Sequence, residues 1–300
     1  MNIAWGEDPR VRARQDRKLD RTVFLVLAAA ALVAFSILGL IAAFLVTGSY
    51  PVLSEVGLVR MLSDAEWGPR ENQFNLAPML VSSLLLTAGA LLLTTPISVG
   101  FAVYCAFYCR RRTAAALLRL VDISAGMPTV IYGFWGLVVV VPLIGEIAAP
   151  GTSMLAGILV LSLMIFPTIT VVAHSAIQAV PGSYIYASTA LGVSRASTIL
   201  HIVFRHASAG ILAAMTLGAA RAIGETVVVL MVCGNVVQMP ASFFDPVRTL
   251  TANIALEMPY ALGMHQSALY ATGLMVLLVV TFLVMVSEIY SRRQQWETSK

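Results

Sequence analysis

The chain has 300 residues, of which 59% are hydrophobic and only 11% are charged, and its mean hydropathy is +0.86. Soluble domains usually carry about a quarter charged residues, so this composition excludes an ordinary soluble protein. The formal net charge of +4 comes from basic residues placed between apolar runs, which indicates membrane topology rather than a nucleic-acid-binding surface.

The positions of the cysteines and histidines argue against a disulfide framework and against a metal site. The three cysteines, Cys105, Cys109 and Cys233, show neither CxxC spacing nor a pattern suited to a disulfide framework. The four histidines show no metal-ligand grouping. We therefore predict no metal site and no catalytic residues in this chain.

The N-terminal part predicts one membrane span and a polar loop. Residues 1–21 form a basic segment, residues 22–47 a first transmembrane helix and residues 48–77 an outer loop. A helix needs roughly 20 apolar residues to cross the hydrocarbon core. The first apolar run is longer than the core of a cleavable signal peptide, which is about 7–15 residues.

Residues 78–290 are predicted to form one core domain with five more spans, followed by a tail at 291–300. Pro96 is expected to kink the first of these spans, and a short interfacial helix is expected over Thr113–Ala125. The predicted spans of the core domain are 78–109, 128–144, 154–172, 207–232 and 267–290. With the first helix they make six transmembrane helices in an all-α fold.

Basic residues are distributed unequally between the two sides of the membrane. With the N-terminus inside, the cytoplasmic segments collect most of the arginines, and the outer loops keep only Arg60, Arg70 and Arg248. The positive-inside rule then places both termini in the cytoplasm.

The connection 174–206 between the fourth and fifth spans is far longer than adjacent spans require. Most of it lies in "AVPGSYIYASTALGVSRASTILHIVFRHASAG", Ala179 to Gly210, which predicts a helix over Ser183–Leu191, a break at Gly192 and a second helix over Ser194–Phe204. Small residues in the first helix leave a surface on which a partner can sit closely. An amphipathic hairpin resting on the membrane explains the same pattern.

A pair of charges interrupts the fifth span, in "AARAIGETVVVLMVCGN". Arg221 and Glu225 are four residues apart, so on one continuous helix their side chains can meet on the same face. A charge at the bilayer centre costs about 2.5–3.5 kcal/mol on insertion scales, so each needs a partner or a watery cavity.

Several stretches resemble the permeases of ATP-binding-cassette importers. The pattern "YASTALG", with Gly192 and Ile202 at the family spacing, resembles their coupling loop, although Tyr186 stands where a glutamate is usual and Phe204-Arg205 replaces Leu-Pro. "GMPTVIYGFWGL", "FPTI" and "RAIGETVVVLMVCGNVVQMPASFFDPVRTLTANIALEM" are similar to phosphate-importer permeases, of the PstC type more than the PstA type. The resemblance implies the type I ABC importer permease (MetI-like) fold with a cytoplasmic coupling helix.

The resemblance also implies roles for particular residues. The positions implied in substrate translocation are Arg221, Glu225 and Thr226. Those implied in coupling to an ATPase are Tyr186, Ala187, Ser188, Gly192 and Ile202. Those implied as structural or hinge positions are Pro128, Pro167 and Gly224. In a second outer loop, residues 234–266, Asn253 and Glu257 are expected on one face of a short helix that touches a substrate-delivery protein.

Two interpretations of the charged pair remain open. In the first, Arg221 and Glu225 form a mutual ion pair that makes the helix tolerable in the membrane. In the second, Arg221 faces a translocation cavity and binds phosphate oxygens, a task for which guanidinium geometry is well suited, while Glu225 orients it.

The sequence lacks the machinery for ATP hydrolysis. A phosphate-cradling loop ends in Lys-Ser or Lys-Thr, and the only lysines are Lys18 and Lys300. The resemblance implies a PstA-like permease partner, two PstB-like ATPase subunits that use ATP and Mg, and a PstS-like periplasmic phosphate-binding protein. The expected location is the bacterial inner membrane, with no cofactor bound by this chain.

Three alternatives to a phosphate permease stay open. The transported anion could be phosphonate, sulfate or molybdate, because an arginine alone does not select among oxyanions. An ion-coupled secondary carrier should contain several intramembrane carboxylates, whereas this core has one, Glu225. A membrane sensor or assembly protein without transport activity is consistent with the altered coupling motif at Tyr186.

Overall fold

The computed structural model describes the backbone of residues 9–298 and the side chains of residues 20–290. Most side chains of the predicted segment 1–21 and all those of the tail 291–300 therefore lie outside the described part. The helices are α1 (Pro9–Glu55), α2 (Arg60–Ser63), α3 (Ala77–Val103), α4 (Arg111–Ala125), α5 (Thr129–Trp135), α6 (Val141–Gly145), α7 (Met154–Gln178), α8 (Gly182–Ala190), α9 (Arg195–Thr198), α10 (Phe204–Ile223), α11 (Val227–Val232), α12 (Leu250–Glu257) and α13 (Met264–Thr298).

Short elements complete the chain between these helices. Two strands, β1 (Trp67–Gly68) and β2 (Gln73–Phe74), pair antiparallel in the loop before α3. Three π-helical turns, Tyr104–Tyr108, Gly136–Val140 and Ile199–Val203, continue the helices that precede them. The second and third of these turns lead directly into α6 and α10, whereas the first forms the last turn of the span Ala77–Tyr108.

Candidate membrane spans account for most of the described chain. Within the described residues, five helices are long and apolar enough to cross a membrane, and these are Asp20–Glu55, Ala77–Tyr108, Met154–Gln178, Arg195–Ile223 and Met264–Tyr290. A sixth candidate is the pair Arg111–Ala125 and Thr129–Gly145, which is bent by 92°. The predicted all-α membrane fold is confirmed, and the number six holds when the bent pair is counted as one span.

Residues up to Gly48 form one compact unit and residues from Ser49 onward form the other. In the first unit, α1 covers the predicted span 22–47 as one uninterrupted helix. Its apolar side chains, such as Phe24 and Phe35, are exposed on the helix surface. Such a helix is suited to hydrocarbon surroundings rather than to water.

In the second unit, α7 is the most deeply buried of the candidate spans. Several of its large side chains, including Leu161, Met164 and Ile165, are fully buried. Hydroxyl groups join it to α3, since Thr94 Oγ1 donates to the carbonyl of Ser162 over 3.0 Å. Small residues and interhelical hydrogen bonds are typical of helix packing within membranes, where both helices lack a hydrophobic driving force to associate.

Glycines allow the closest approaches to α7. A Cβ atom on Gly136 would lie 2.5 Å from Val160 Cγ2 and 3.0 Å from Val232 Cγ1. A Cβ atom on Gly218 of α10 would lie 2.8 Å from Ile169 of α7. These contacts bring the segment after α5, and α10 itself, directly against α7.

We predict that Gly136→Ala destabilises the folded protein. The added methyl group would overlap two valines whose β-branched side chains have few alternative rotamers, and overpacking of this kind costs about 1–3 kcal/mol. The thermal midpoint in detergent, followed by size-exclusion of the remaining folded protein, should fall by several degrees. Gly100→Ala is the control, because nothing lies within 4 Å of its added methyl; equal midpoints for the two variants would contradict the packing argument.

Candidate functional site: a broken span beside α7

The charged pair lies at a break between two helices. Helix α10 ends at Ile223 and α11 begins at Val227, so Gly224, Glu225 and Thr226 connect them. The predicted continuous span 207–232 is therefore wrong. Gly224 lies at the start of the break, and glycine has a helix propensity lower than that of any residue except proline, which favours a break at this point.

Two hydrogen bonds that involve side chains stabilise the break. The Glu225 carboxylate accepts the backbone N–H of Val228 over 3.3 Å, in the first turn of α11. The Thr251 hydroxyl of α12 donates to the Glu225 carbonyl over 2.7 Å. Non-helical backbone at membrane depth needs such partners, because lipid offers none.

Arg221 contacts α7 rather than Glu225. Its Nη1 donates to Thr168 Oγ1 over 2.8 Å, and no carboxylate oxygen of residues 20–290 lies within ion-pair distance of it. The predicted contact between Arg221 and Glu225 on one helix face is thus wrong. The break redirects Glu225, so the four-residue spacing no longer brings the side chains together.

The two other stretches that resemble phosphate-importer permeases meet in the same region. Thr168 belongs to "FPTI", directly after Pro167, which is buried inside the uninterrupted α7. Tyr132 belongs to "GMPTVIYGFWGL", lies within electrostatic range of Arg221 and donates its hydroxyl to the Ser124 carbonyl over 2.8 Å. Neither Thr168 nor Tyr132 is among the site residues that the sequence predicted, although both lie in stretches that resemble phosphate-importer permeases.

Pro128 and Gly224 occupy the two interruptions that surround this site. Pro128 caps α5 at the bend between α4 and α5. Gly224 ends α10 with an ordinary helical backbone conformation, at φ −77°. Thr226 is half-buried beside it, and its hydroxyl donates to the Gly224 carbonyl over 3.4 Å. The hinge and translocation roles of these residues stay predictions.

The connection between α7 and α10 is shorter than predicted. Helix α7 runs on to Gln178, and α8 is followed by Gly192 at φ +72°, a conformation that favours glycine. The predicted separate helix Ser194–Phe204 is wrong, because the helix from Arg195 continues to Ile223. No proline or glycine occurs between Val193 and Gly210 to end it.

The predicted coupling residues differ in their accessibility. Tyr186 is 77% exposed, and Ala187 and Gly192 are exposed as well. Ser188 is buried and bonded to Thr198 Oγ1 over 3.0 Å, so the expectation that it belongs to an open surface is wrong. Ile202 is half-buried in the π-helical turn. Helix α8 is therefore hydrogen-bonded to the start of the long helix Arg195–Ile223, while Tyr186 and Ala187 are exposed.

Arg195 connects the start of the long helix to the end of the span Ala77–Tyr108. Its Nη1 donates to the Phe107 carbonyl over 3.2 Å, and its guanidinium lies 5.6 Å from the centre of the Tyr108 ring. A cation above an aromatic face adds a modest attraction. Rings of Tyr184 and His206, with centres 4.6 Å apart, add a further contact to α8.

The two residues of the outer loop 234–266 that were expected to contact a substrate-delivery protein are buried instead. Asn253 is fully buried and Glu257 nearly so, and Arg248 Nη1 donates to Glu257 Oε1 over 2.7 Å and to Asn253 Oδ1 over 3.0 Å. Trp67 and His265 contact the other carboxylate oxygen at 2.9 Å and 2.8 Å. This cluster joins the loop before α3 to the loop around α12, because a buried carboxylate needs several donors.

Among the residues that the structure describes, no group of histidine, cysteine, aspartate or glutamate side chains could hold a metal ion.

Solved structures with the same arrangement define the class of the fold. The chain matches one from a bacterial alginate ABC transporter in complex with an alginate pentasaccharide-bound periplasmic protein, with a TM-score of 0.67 and 15% identity over 93% of this chain and 96% of that chain. A chain of the inward-facing MetNI methionine ABC transporter matches with a TM-score of 0.55 and 18% identity, over 72% and 93% respectively. The fold is that of a type I ABC importer permease.

Residues 98–296 match the family of the binding-protein-dependent transport system inner membrane component, and the chain belongs to this family. It is 33% identical to the probable ABC transporter permease protein YqgH of Bacillus subtilis, over 95% of both chains. It is 29% identical to the phosphate transport system permease protein PstC of Mesorhizobium japonicum, over 92% of this chain and 93% of that protein. The protein is thus a multi-pass membrane subunit of a transport system.

We predict that Arg248→Ala destabilises the protein more than Arg60→Ala does. Removing Arg248 leaves the Glu257 carboxylate, 12% exposed, without its cation, and breaking a buried pair costs on the order of 3 kcal/mol. Arg60 is 62% exposed in its pair with Asp64, so its loss should cost about 1 kcal/mol or less. The thermal midpoint in detergent checks this order, and a drop of equal size in both variants would contradict it.

Proposed function

We propose that this chain is the permease subunit of an ATP-driven phosphate importer and forms half of its translocation pathway. Family membership supports a transport role, and several relatives named as phosphate permeases are 27–30% identical over most of the chain. The observation that carries the proposal is Arg221, a guanidinium at a broken span that has no carboxylate partner within residues 20–290.

The unpaired state of Arg221 favours a transport role over a purely structural one. A charge within the membrane is costly unless a partner or water compensates it. Glu225 does not provide that compensation, because its carboxylate caps α11. Guanidinium donors match the oxygens of phosphate well, so an anion in a hydrated pathway would supply what the chain itself does not.

The remaining subunits follow from the same proposal. A PstA-like permease would complete the pathway, two PstB-like ATPases would hydrolyse ATP with Mg, and a PstS-like periplasmic protein would deliver phosphate. This chain would make and break no covalent bonds. We place it in the bacterial inner membrane with both termini cytoplasmic, so that α8 faces the ATPases and the α12 loop faces the periplasm.

The long helix Arg195–Ile223 offers a direct path for coupling. Its first turns are bonded to α8 through Ser188 and Thr198, and its last turn carries Arg221. Its 29 residues span roughly 43 Å at 1.5 Å per residue. Closure of the ATPases would move α8, and the same helix would carry that movement to the anion site in an alternating-access cycle.

We predict that Arg221→Gln and Glu225→Gln leave the complex assembled but greatly reduce phosphate uptake. The first removes the cation, and the second weakens the carboxylate bond that holds the break. Labelled phosphate uptake would be measured at matched membrane abundance, in cells that lack their own high-affinity system and receive this chain with its neighbouring genes. Arg205→Gln is the matched control, because Arg205 is an exposed arginine of the same α10.

The outcomes separate the alternatives. Normal uptake in both variants would reduce the pair to a structural role and leave the importer in place. Absence of phosphate uptake in the unmodified strain would contradict the proposed substrate, and uptake of phosphonate, sulfate or molybdate would then replace it. Uptake that persists without any ATPase subunit would favour an ion-coupled carrier, and absence of all uptake would favour a sensor.

We also predict that Ala187→Arg weakens the association with the ATPase. Ala187 is exposed on α8, and a bulky charge there would clash with a closely docked partner. The amount of ATPase that co-purifies with the tagged chain should fall several-fold. Ala255→Arg, on the exposed side of α12, places the same substitution elsewhere, and an equal loss with this control would contradict a specific role for α8.

A further inference from the structure

The hydroxyl of Thr168 accepts a hydrogen bond from Arg221 and keeps its own proton available. Two other hydroxyls of α7 donate to the carbonyl four residues earlier, Ser162 to Ile158 and Ser175 to Val171. Within the described part of the chain, Thr168 Oγ1 has no such acceptor and its one hydrogen bond is the 2.8 Å contact with Arg221. A hydroxyl has one donor and two acceptor positions, so the donor position of Thr168 is open.

Arg221 likewise has unused donors. A guanidinium carries five N–H groups, and the bond to Thr168 is the only hydrogen bond of this side chain among residues 20–290. Both side chains are half-buried rather than enclosed. An O–H donor and several N–H donors therefore lie side by side at a position that a ligand can reach.

The packing of α10 on α7 holds the two side chains together. Gly218, three residues before Arg221, approaches Ile169, the neighbour of Thr168, so closely that a Cβ atom would lie 2.8 Å away. Ile169 and Pro167, on either side of Thr168, are both buried. The side chain between them is thus directed by a rigid helix rather than by a loop.

We propose that Thr168 is a second binding residue for the transported oxyanion, which it contacts through its own O–H while it orients the Arg221 guanidinium. The proposal rests on the proposed function and extends it by a residue on a different span. An oxyanion bound here accepts hydrogen bonds from α7 and α10 at once. Movement of α10 against α7 separates these donors and releases the anion.

The test uses the complete complex in proteoliposomes, with saturating phosphate-loaded binding protein. The quantity measured is phosphate transported per ATP hydrolysed, since a merely structural role would lower both rates together. In Thr168→Val this ratio should fall about tenfold or more, the factor expected for one hydrogen bond to a charged group. Thr168→Ser, which keeps the hydroxyl, should restore it, and Thr168→Ala, which removes it with less bulk, should behave like valine.

Thr170→Val is the matched control on the same helix. Thr170 is fully buried, and its hydroxyl has no hydrogen-bond partner in the described structure, so its removal should leave the ratio unchanged. If Thr168→Val or Thr168→Ala transports as much phosphate per ATP as the unmodified complex, the role of Thr168 is overturned while phosphate import stands. Should the unmodified complex import a different oxyanion, the phosphate assignment fails and the same variants are compared with that ion. Import of no oxyanion by the unmodified complex would overturn both proposals.

Discussion

Close packing against α7 is the constraint on which the rest of the structure depends. In lipid, helices associate through short-range contact and hydrogen bonds rather than through exclusion of water. Small residues at Gly136 and Gly218 permit that contact on two sides of α7. The same contacts set the position of Thr168 relative to Arg221, so the geometry of the candidate site is a consequence of how the bundle packs.

The broken span shows how one polar interruption is accommodated in an apolar environment. Two groups at the break have specific partners, since the Glu225 carboxylate accepts from the Val228 N–H and the Glu225 carbonyl accepts from the Thr251 hydroxyl of α12. Arg221 differs, because most of its donors face no acceptor in the described chain. The proposed oxyanion would supply the acceptors that these guanidinium donors lack.

The proposed coupling segment contacts the same helix that carries the proposed anion site, and this joins two features that the sequence suggested separately. The predicted second coupling helix is the beginning of the fifth span, so α8 contacts the helix that carries Arg221. Burial of Ser188 reduces the outward surface of α8 to residues such as Tyr186 and Ala187. Because Tyr186 stands where the coupling loops of similar permeases usually have a glutamate, that surface is uncharged. An apolar or hydrogen-bonding contact would then replace the charged contact of those loops.

The sequence by itself determined the membrane class, most of the spans and the stretches that carry the site, because long apolar runs and isolated charges are local properties. It did not determine which side chains meet. The four-residue spacing of Arg221 and Glu225 predicts a contact only on a continuous helix, and the break depends on Thr251, which is 26 residues away. Thr168 is 53 residues from Arg221, and Asn253 and Glu257 turn inward because Arg248, Trp67 and His265 surround them. Only the tertiary structure decides such contacts, because a buried polar group takes its partner from whichever helix or loop packs beside it.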